Sequence, residues 1–338
     1  MGYRFSSTKF NNLLAQLQKN YIVYAPVLLK GKGRFSDTDL VGYGEIKQIE
    51  DVVFDRKSYF SPKEIYYPIN QTLFYFTEEE YREPQIDQRG IIIFLRSCDI
   101  HAVSRLDKIM LHNGPQADYY YEGLRNKLKF VLMDCPTGFD RCFCVSMGTN
   151  VTENFSFSLR PENGDFLCQV KEDLDGLFNS LGTPCEVTPQ FVRENQLVVT
   201  IPANLDESVA KSSIWDEYNS RCIACGRCNT SCPTCSCFTM QDLFYQDNPK
   251  CGERRRVWAS CQIDGFTDMA GGHSFRQEKG QRMRFKVLHK VYDFKKRFGI
   301  HMCVGCGRCD DVCPEYISYA NCVNKLAAAM QEVKNRDQ

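Results

Sequence analysis

The chain has 338 residues, 43% hydrophobic and 25% charged, a folded globular composition long enough for about two domains. Lys+Arg and Asp+Glu both number 42, for a formal net charge of zero, which speaks against a nucleic-acid binder of global basic character. The longest apolar run, residues 91–95, is far short of the roughly 20 residues of a membrane helix, and the first ten residues lack a signal core, so a cytoplasmic protein without membrane insertion is expected.

Taken in chain order, Ser7 or Thr8 caps a helix in which Phe10, Leu13, Leu14 and Leu17 recur at helical spacing. Residues 21–29 are a β-rich run, and 90–95 read as a short buried strand. Ala102, Val103, Leu106 and Met110 then share one face of a helix over 101–110. Residues 130–133 form a second apolar strand and 196–202 a third. Short apolar strands alternating with helical patterns predict a mixed α/β domain over 1–204 with a partly parallel sheet. Residues 205–338 read as a mainly α-helical ferredoxin-type domain. Its longest helices are expected over 205–218 and 275–298, the second stopped by Gly299.

Cysteine is the outlier, with 19 residues. An odd count without a signal segment points to metal binding over a disulfide framework. None occurs in the first 97 residues, and 13 lie between Cys222 and Cys322, which supports a boundary near 200–220.

Cys222, Cys225, Cys228, Cys232 and Pro233 form a C-x2-C-x2-C-x3-C-P run, and Cys303, Cys306, Cys309, Cys313 and Pro314 repeat it. This is the bacterial spacing for [4Fe–4S] clusters. Soft thiolates suit iron, and Gly226 and Gly307 let the backbone pass close to the inorganic sulfurs. In two-cluster ferredoxins the fourth cysteine serves the other cluster. Cys222, Cys225, Cys228 and Cys313 are therefore assigned to one cluster, and Cys303, Cys306, Cys309 and Cys232 to a second. A zinc site needs neither the third cysteine in register nor the trailing Cys-Pro.

A second group is less ordered. Cys98 follows the strand at 90–95, Cys135 follows the strand at 130–133, and Cys142 and Cys144 come soon after. Parallel neighbouring strands would place Cys98 and Cys135 together at their carboxyl ends, and an extended segment aims Cys142 and Cys144 to one side. The group reads as a third iron–sulfur cluster, with Asp99 as an oxygen ligand. Buried thiols and zinc are the alternatives. Cys235, Cys237, Cys251, Cys261 and Cys322 are left for supporting or core roles, and Cys168 and Cys185 for the core.

Residues 251–299 carry 12 Lys/Arg and 5 Asp/Glu, a net of +7. Basic surroundings would stabilise reduced clusters or dock an acidic partner, and a solvated helix face is the plain alternative. His273 in a Gly-Gly-His turn reads as a turn residue. There is no dinucleotide fingerprint, no Ser/His/Asp arrangement and no paired-carboxylate site. The expected role is electron transfer with no active site on this chain alone.

The block from Trp258 through Cys261, Phe266, Met269 and His273 to Arg276, with the Arg96-Ser-Cys98-Asp99 and Cys142-Phe-Cys144 segments, resembles the A subunits of anaerobic sulfite reductases. It is also similar to the β subunits of soluble sulfhydrogenases. The first resemblance implies a cytoplasmic complex. A flavin-containing NADH-oxidising subunit would supply electrons, this chain would relay them, and a sirohaem subunit would reduce sulfite to sulfide. The second keeps the relay and changes the terminal enzyme. Both imply cluster ligands at the eight cysteines of the two runs.

Overall fold

The apolar runs of the N-terminal half become the middle of a large mixed sheet. The computed structural model describes residues 1–35 and 37–336. Strand β1 (Gly2–Ser6) leads into helix α1 (Ser7–Leu17), whose N-cap is Ser6, accepting from the Lys9 N–H at 3.4 Å. The cap thus falls one residue before Ser7, because β1 delivers Ser6 in extended conformation. There follow β2 (Tyr21–Leu29), β3 (Leu40–Glu45), β4 (Asn70–Phe76), β5 (Tyr81–Arg82) and β6 (Gly90–Leu95). Next come α2 (Ser97–Met110), α3 (Tyr119–Arg125), β7 (Leu128–Met133), β8 (Phe157–Glu162), β9 (Asp165–Gln169), α4 (Leu177–Leu181) and β10 (Thr183–Pro184).

The large sheet has the order β10-β1-β9-β8-β7-β6-β2-β3. Its centre, β2-β6-β7-β8, is parallel and its flanks antiparallel. Both faces of β6 and β7 are covered, which is why these strands are near-continuous apolar runs, Lys129 being the one charged residue, instead of alternating. Ile92, Phe94, Val131 and Met133 pack under α1 with Phe10, Leu13, Leu14 and Leu17. Ile93, Leu95, Phe130 and Leu132 pack on the other side against Ile100, Val103, Leu106 and Met110 of α2.

The expected strand at 196–202 does not form. Its backbone is held by side chains instead: the Val199 N–H donates to Ser146, the Thr200 N–H donates to the Asn324 carbonyl, and Asn324 returns a bond to the Val198 carbonyl. Val199 enters a separate core with Trp215 and Met330.

The C-terminal part is less helical than expected. It contains α5 (Glu217–Arg221), α6 (Arg227–Thr230), strands β11 (Phe238–Phe244) and β12 (Gly252–Trp258), then α7 (Lys279–Leu288), α8 (Phe294–Phe298), α9 (Arg308–Asp311), α10 (Tyr319–Asn324) and α11 (Leu326–Arg336). The hairpin β11–β12 extends β4 and β5 into a second sheet, ordered β11-β12-β4-β5. The helix expected over 205–218 is broken into 3-10 turns at Glu207–Lys211 and Ser213–Trp215, because Asp206 and Ser212 each cap a new turn. The helix expected over 275–298 starts only at Lys279, where Glu278 and Gln281 form a capping box, and passes through a π turn at His289–Asp293.

Two buried arginines join these parts. Arg308 on α9 grips Asp99 on α2 bidentately at 2.6 and 2.9 Å, with both side chains 3% exposed or less, and also donates to the Ser58 carbonyl and hydroxyl at 3.0 Å. Arg256 on β12 meets Asp118 at 2.5 Å and Gln71 on β4 at 2.7 Å. Asp99→Ala leaves the Arg308 guanidinium buried without its counter-charge. It is expected to cost about 3–5 kcal/mol in anaerobic denaturant unfolding, whereas Asp165→Ala, at the surface partner of Arg4, should cost under about 1 kcal/mol.

Candidate metal centre

The two cysteine runs fold alike. Ala224 (φ 56°) and Gly305 (φ 67°) occupy the same step of each loop, as do Gly226 (φ 73°) and Gly307 (φ 72°), which start α6 and α9. The loop turns its amides inward: the Ala224 N–H donates to the Cys222 sulfur and the Gly305 N–H to the Cys303 sulfur, both at 3.4 Å. The Ile317 N–H donates to the Cys313 sulfur at the same distance.

Packing interleaves the two runs. One cavity is walled by Cys222, Cys225, Cys228 and Cys313, with Ile223, Met283 and Ile317 around them. Another is walled by Cys232, Cys303, Cys306 and Cys309, with Phe143 and Val304. Cys313 therefore faces the cavity of the first run, and Cys232 that of the second. Cys228 and Cys309 touch both cavities, so they stand between them.

Two lysines on one face of the helical stretch from α7 supply positive charge. Lys286 borders both cavities and Lys290 the second. Burial opposes the charge on Lys286, but the Cys228 and Cys309 sulfurs beside it outweigh burial and hold its pKa well above the ordinary lysine value. Lys290 is likewise raised against burial by Cys232 and Cys235. Its ammonium donates to the Cys232 sulfur at 3.4 Å and to the Thr234 hydroxyl at 2.8 Å. Sequence reading placed both lysines in a general basic stretch. Their i, i+4 spacing opposite a cysteine motif was the available signal.

The N-terminal group is assembled as neighbours on the sheet. Because β6 and β7 are parallel and adjacent, Cys98 in the first turn of α2 and Cys135 after β7 sit at the same end. Cys142 and Cys144 come up against the second motif. The Cys142 sulfur is 3.5 Å from the Cys306 carbonyl, the Phe143 N–H donates to the Gly305 carbonyl at 2.8 Å, and Thr149 donates to the Val304 carbonyl at 2.7 Å. Cys98 packs on Val304 and Cys306. A Cβ on Gly305 would lie 2.5 Å from the Phe143 carbonyl oxygen, and one on Gly307 2.3 Å from that of Arg141, so only glycine permits this approach. Asp99 is not free to act as an oxygen ligand, since Arg308 engages both of its carboxylate oxygens.

Burial raises the thiol pKa at Cys98, Cys135 and Cys144, the last to about 12. It does the same at Cys303, pushed up to about 12, and at Cys306, pushed up to about 11. Such thiols ionise only when a cation compensates them, which is what a bound metal does. The donor sets are all sulfur and partly screened by buried lysines, a fit to anionic iron–sulfur groups. Among the described residues, no group of three His, Cys, Asp or Glu side chains is placed to hold a single metal ion.

Of the other cysteines, Cys168 lies in the sheet core as expected, but Cys185 is only half-buried beyond the edge strand β10 and joins no core among the described residues. Cys322 contacts the Tyr218 hydroxyl at 2.7 Å, Cys251 accepts from Asn248 at 3.1 Å, Cys235 is buried with its carbonyl accepting from Lys63, and Cys237 and Cys261 are neighbours. His273 stacks edge-on against the exposed Phe275 in an outer loop.

Residues 221–317 match the family described as 4Fe-4S dicluster domain. With the paired cavities, this defines an iron–sulfur protein of the electron-transfer class. Along nearly its whole length the chain is similar to sulfhydrogenase 2 subunit beta of Pyrococcus furiosus, 27% identical over 345 residues covering 96% of this chain and 97% of that protein. The likeness falls on the sulfhydrogenase side of the two resemblances. No solved structure matches the chain. No helix among the described residues is long and apolar enough to cross a membrane.

A cluster becomes more negative on reduction, so a nearby ammonium favours the reduced state. Lys286→Met should therefore move a cluster midpoint to more negative potential. The expected shift is about 60 mV, a tenfold change for a one-electron couple, read by redox titration with electron paramagnetic resonance.

Proposed function

We propose that this chain is the electron-transfer β-type subunit of a cytoplasmic sulfhydrogenase-like complex, carrying three iron–sulfur clusters in a row. The observation that carries this reading is the interleaving of the two cysteine runs. Each cavity is lined by three cysteines of one run and by the fourth cysteine, Cys313 or Cys232, that the other run contributes, with Cys228 and Cys309 shared between them, which supports the arrangement of two-cluster ferredoxins. The proposed ligands are Cys222, Cys225, Cys228 and Cys313 for one cluster, and Cys303, Cys306, Cys309 and Cys232 for the next. Cys98, Cys135, Cys142 and Cys144 would hold a third. Each cluster supplies a one-electron carrier.

The protein's own residues do the rest. The loop amides donate to the sulfurs, Lys286 and Lys290 offset negative charge, and the Asp99–Arg308 pair holds the N-terminal thiols against the second motif. The row would run from the ends of β6 and β7, past Cys306, through the wall that Cys228 and Cys309 share between the two cavities, to the more exposed Cys225. A flavin subunit oxidising NADH is proposed at one end and a hydrogen-activating subunit at the other. Replacing the latter by a sirohaem sulfite-reducing subunit is the version drawn from the sulfite reductase resemblance.

Anaerobically purified chain should contain about twelve irons, and Cys135→Ser about eight. Eight irons in both would remove the N-terminal cluster. Cys225→Ser in the purified native complex should abolish electron flow between NADH and the terminal acceptor. Unimpaired flow would refute the relay. Oxidation of hydrogen by that complex, against reduction of sulfite, separates the two terminal enzymes.

A further inference from the structure

Cys237 and Cys261 are used by neither cavity, and they are in contact across the base of the β11–β12 hairpin. Cys237 precedes β11 and Cys261 follows β12, where the Ala259 N–H donates to the Cys237 carbonyl at 2.9 Å. The two thiols lie close enough that Cys237 lowers the Cys261 pKa and Cys261 raises that of Cys237. Asn229 also donates to the Cys261 sulfur, at 3.0 Å, from a side chain whose oxygen lies 3.9 Å from the Cys228 sulfur. Gln262 is anchored on the Arg282 carbonyl at 2.8 Å and points its amide at the same sulfur from 3.8 Å. With the Cys237 thiol as the largest cause and these amides behind it, Cys261 is brought down to about 6 in spite of burial. The pair thus favours the thiolate at Cys261 and the protonated thiol at Cys237.

Both sulfurs open onto one cavity of about 350 Å³. Its wall carries Arg276, whose guanidinium lies 3.8 Å over the Phe285 ring, and His289, stacked on the same ring. Lys286 and Lys290 stand at the side facing the cluster cavities. A nucleophilic thiolate, a partner thiol in contact, a cationic and aromatic recess, and a bridge through Asn229 to a cluster motif form a coherent set.

We propose that Cys261 and Cys237 are a redox-active dithiol that reduces a small anionic disulfide bound in this cavity. The Cys261 thiolate attacks one sulfur of the disulfide, forming a mixed disulfide and releasing the first thiolate. Cys237 loses its proton and attacks Cys261, releasing the second thiolate and closing a Cys237–Cys261 disulfide. Two protons from solvent convert the two thiolates to thiols as pH dictates. Two electrons, delivered singly by the iron–sulfur centres of this chain, and one proton restore the Cys261 thiolate and the Cys237 thiol. The re-reduction step rests on the cluster reading above, whereas the exchange step does not.

The test uses the full chain, anaerobic and prereduced, with oxidised glutathione as the probe. Wild type should release two glutathiones per chain, and non-reducing peptide mass spectrometry should find a Cys237–Cys261 cross-link. Cys237→Ser should release one and become heavier by one glutathionyl group on Cys261. Cys261→Ser should release none at this site while keeping wild-type iron content and cluster resonances. Glutathione release unchanged in both variants would overturn the proposal, as would loss of iron in Cys261→Ser, which would make that sulfur a cluster ligand. A wild-type chain that forms the cross-link but holds no iron would sink the cluster reading and leave the exchange chemistry standing.

Discussion

A carboxylate and a guanidinium buried together, Asp99 and Arg308, set the position of everything that carries chemistry in this chain. Each sits next to a cysteine: Asp99 follows Cys98 at the end of β6, and Arg308 lies between Cys306 and Cys309. At that depth each charge is the other's main compensation, with Ser58 and the Cys306 sulfur assisting Arg308. Joining them presses the carboxyl ends of the parallel strands against the second cysteine loop, and Gly305 and Gly307 remove the side chains that would stand in the way. The same contact consumes the carboxylate that the sequence offered as an oxygen ligand.

Electrostatics elsewhere follow from the same need. Buried thiols resist ionisation, and the structure answers with lysines that burial would otherwise neutralise. Lys286 and Lys290 sit where two cavities and the Cys237–Cys261 pair meet. The basic stretch of residues 251–299 is thus largely consumed within the molecule. Arg256 pins the hairpin to β4, Arg254 pairs with Asp242, and Arg282 with Asp264. Little of it is left as a free field for a partner or a polyanion.

Much of the architecture was legible locally. The strand over 21–29 and the apolar strand over 90–95 have the observed bounds: the first is rich in β-formers, and the second, buried on both faces, advertises itself by composition. The misses share a cause as well. Residues 196–202 look like a strand but obtain their hydrogen bonds from Ser146 and Asn324. Residues 238–258 were passed over as strands because β11 is exposed throughout and shows no regular alternation, β12 carries four charges in a row, and the partner of β12, β4, lies far away in sequence. Chain-distant pairing leaves no local trace.

By itself the sequence determined the chemistry: soft sulfur donors at cluster spacing, glycines at the turning points, and an apolar parallel core. These are properties of a few consecutive residues, so spacing and side-chain type suffice to state them. Only the tertiary structure decided which cysteines meet. Cys313 faces the first run and Cys232 the second; Cys142 reaches the Cys306 carbonyl; Cys237 finds Cys261 and an open cavity. Each of these meetings joins residues remote in the chain, and packing, with its buried charges, selects one meeting among the many that the sequence allows.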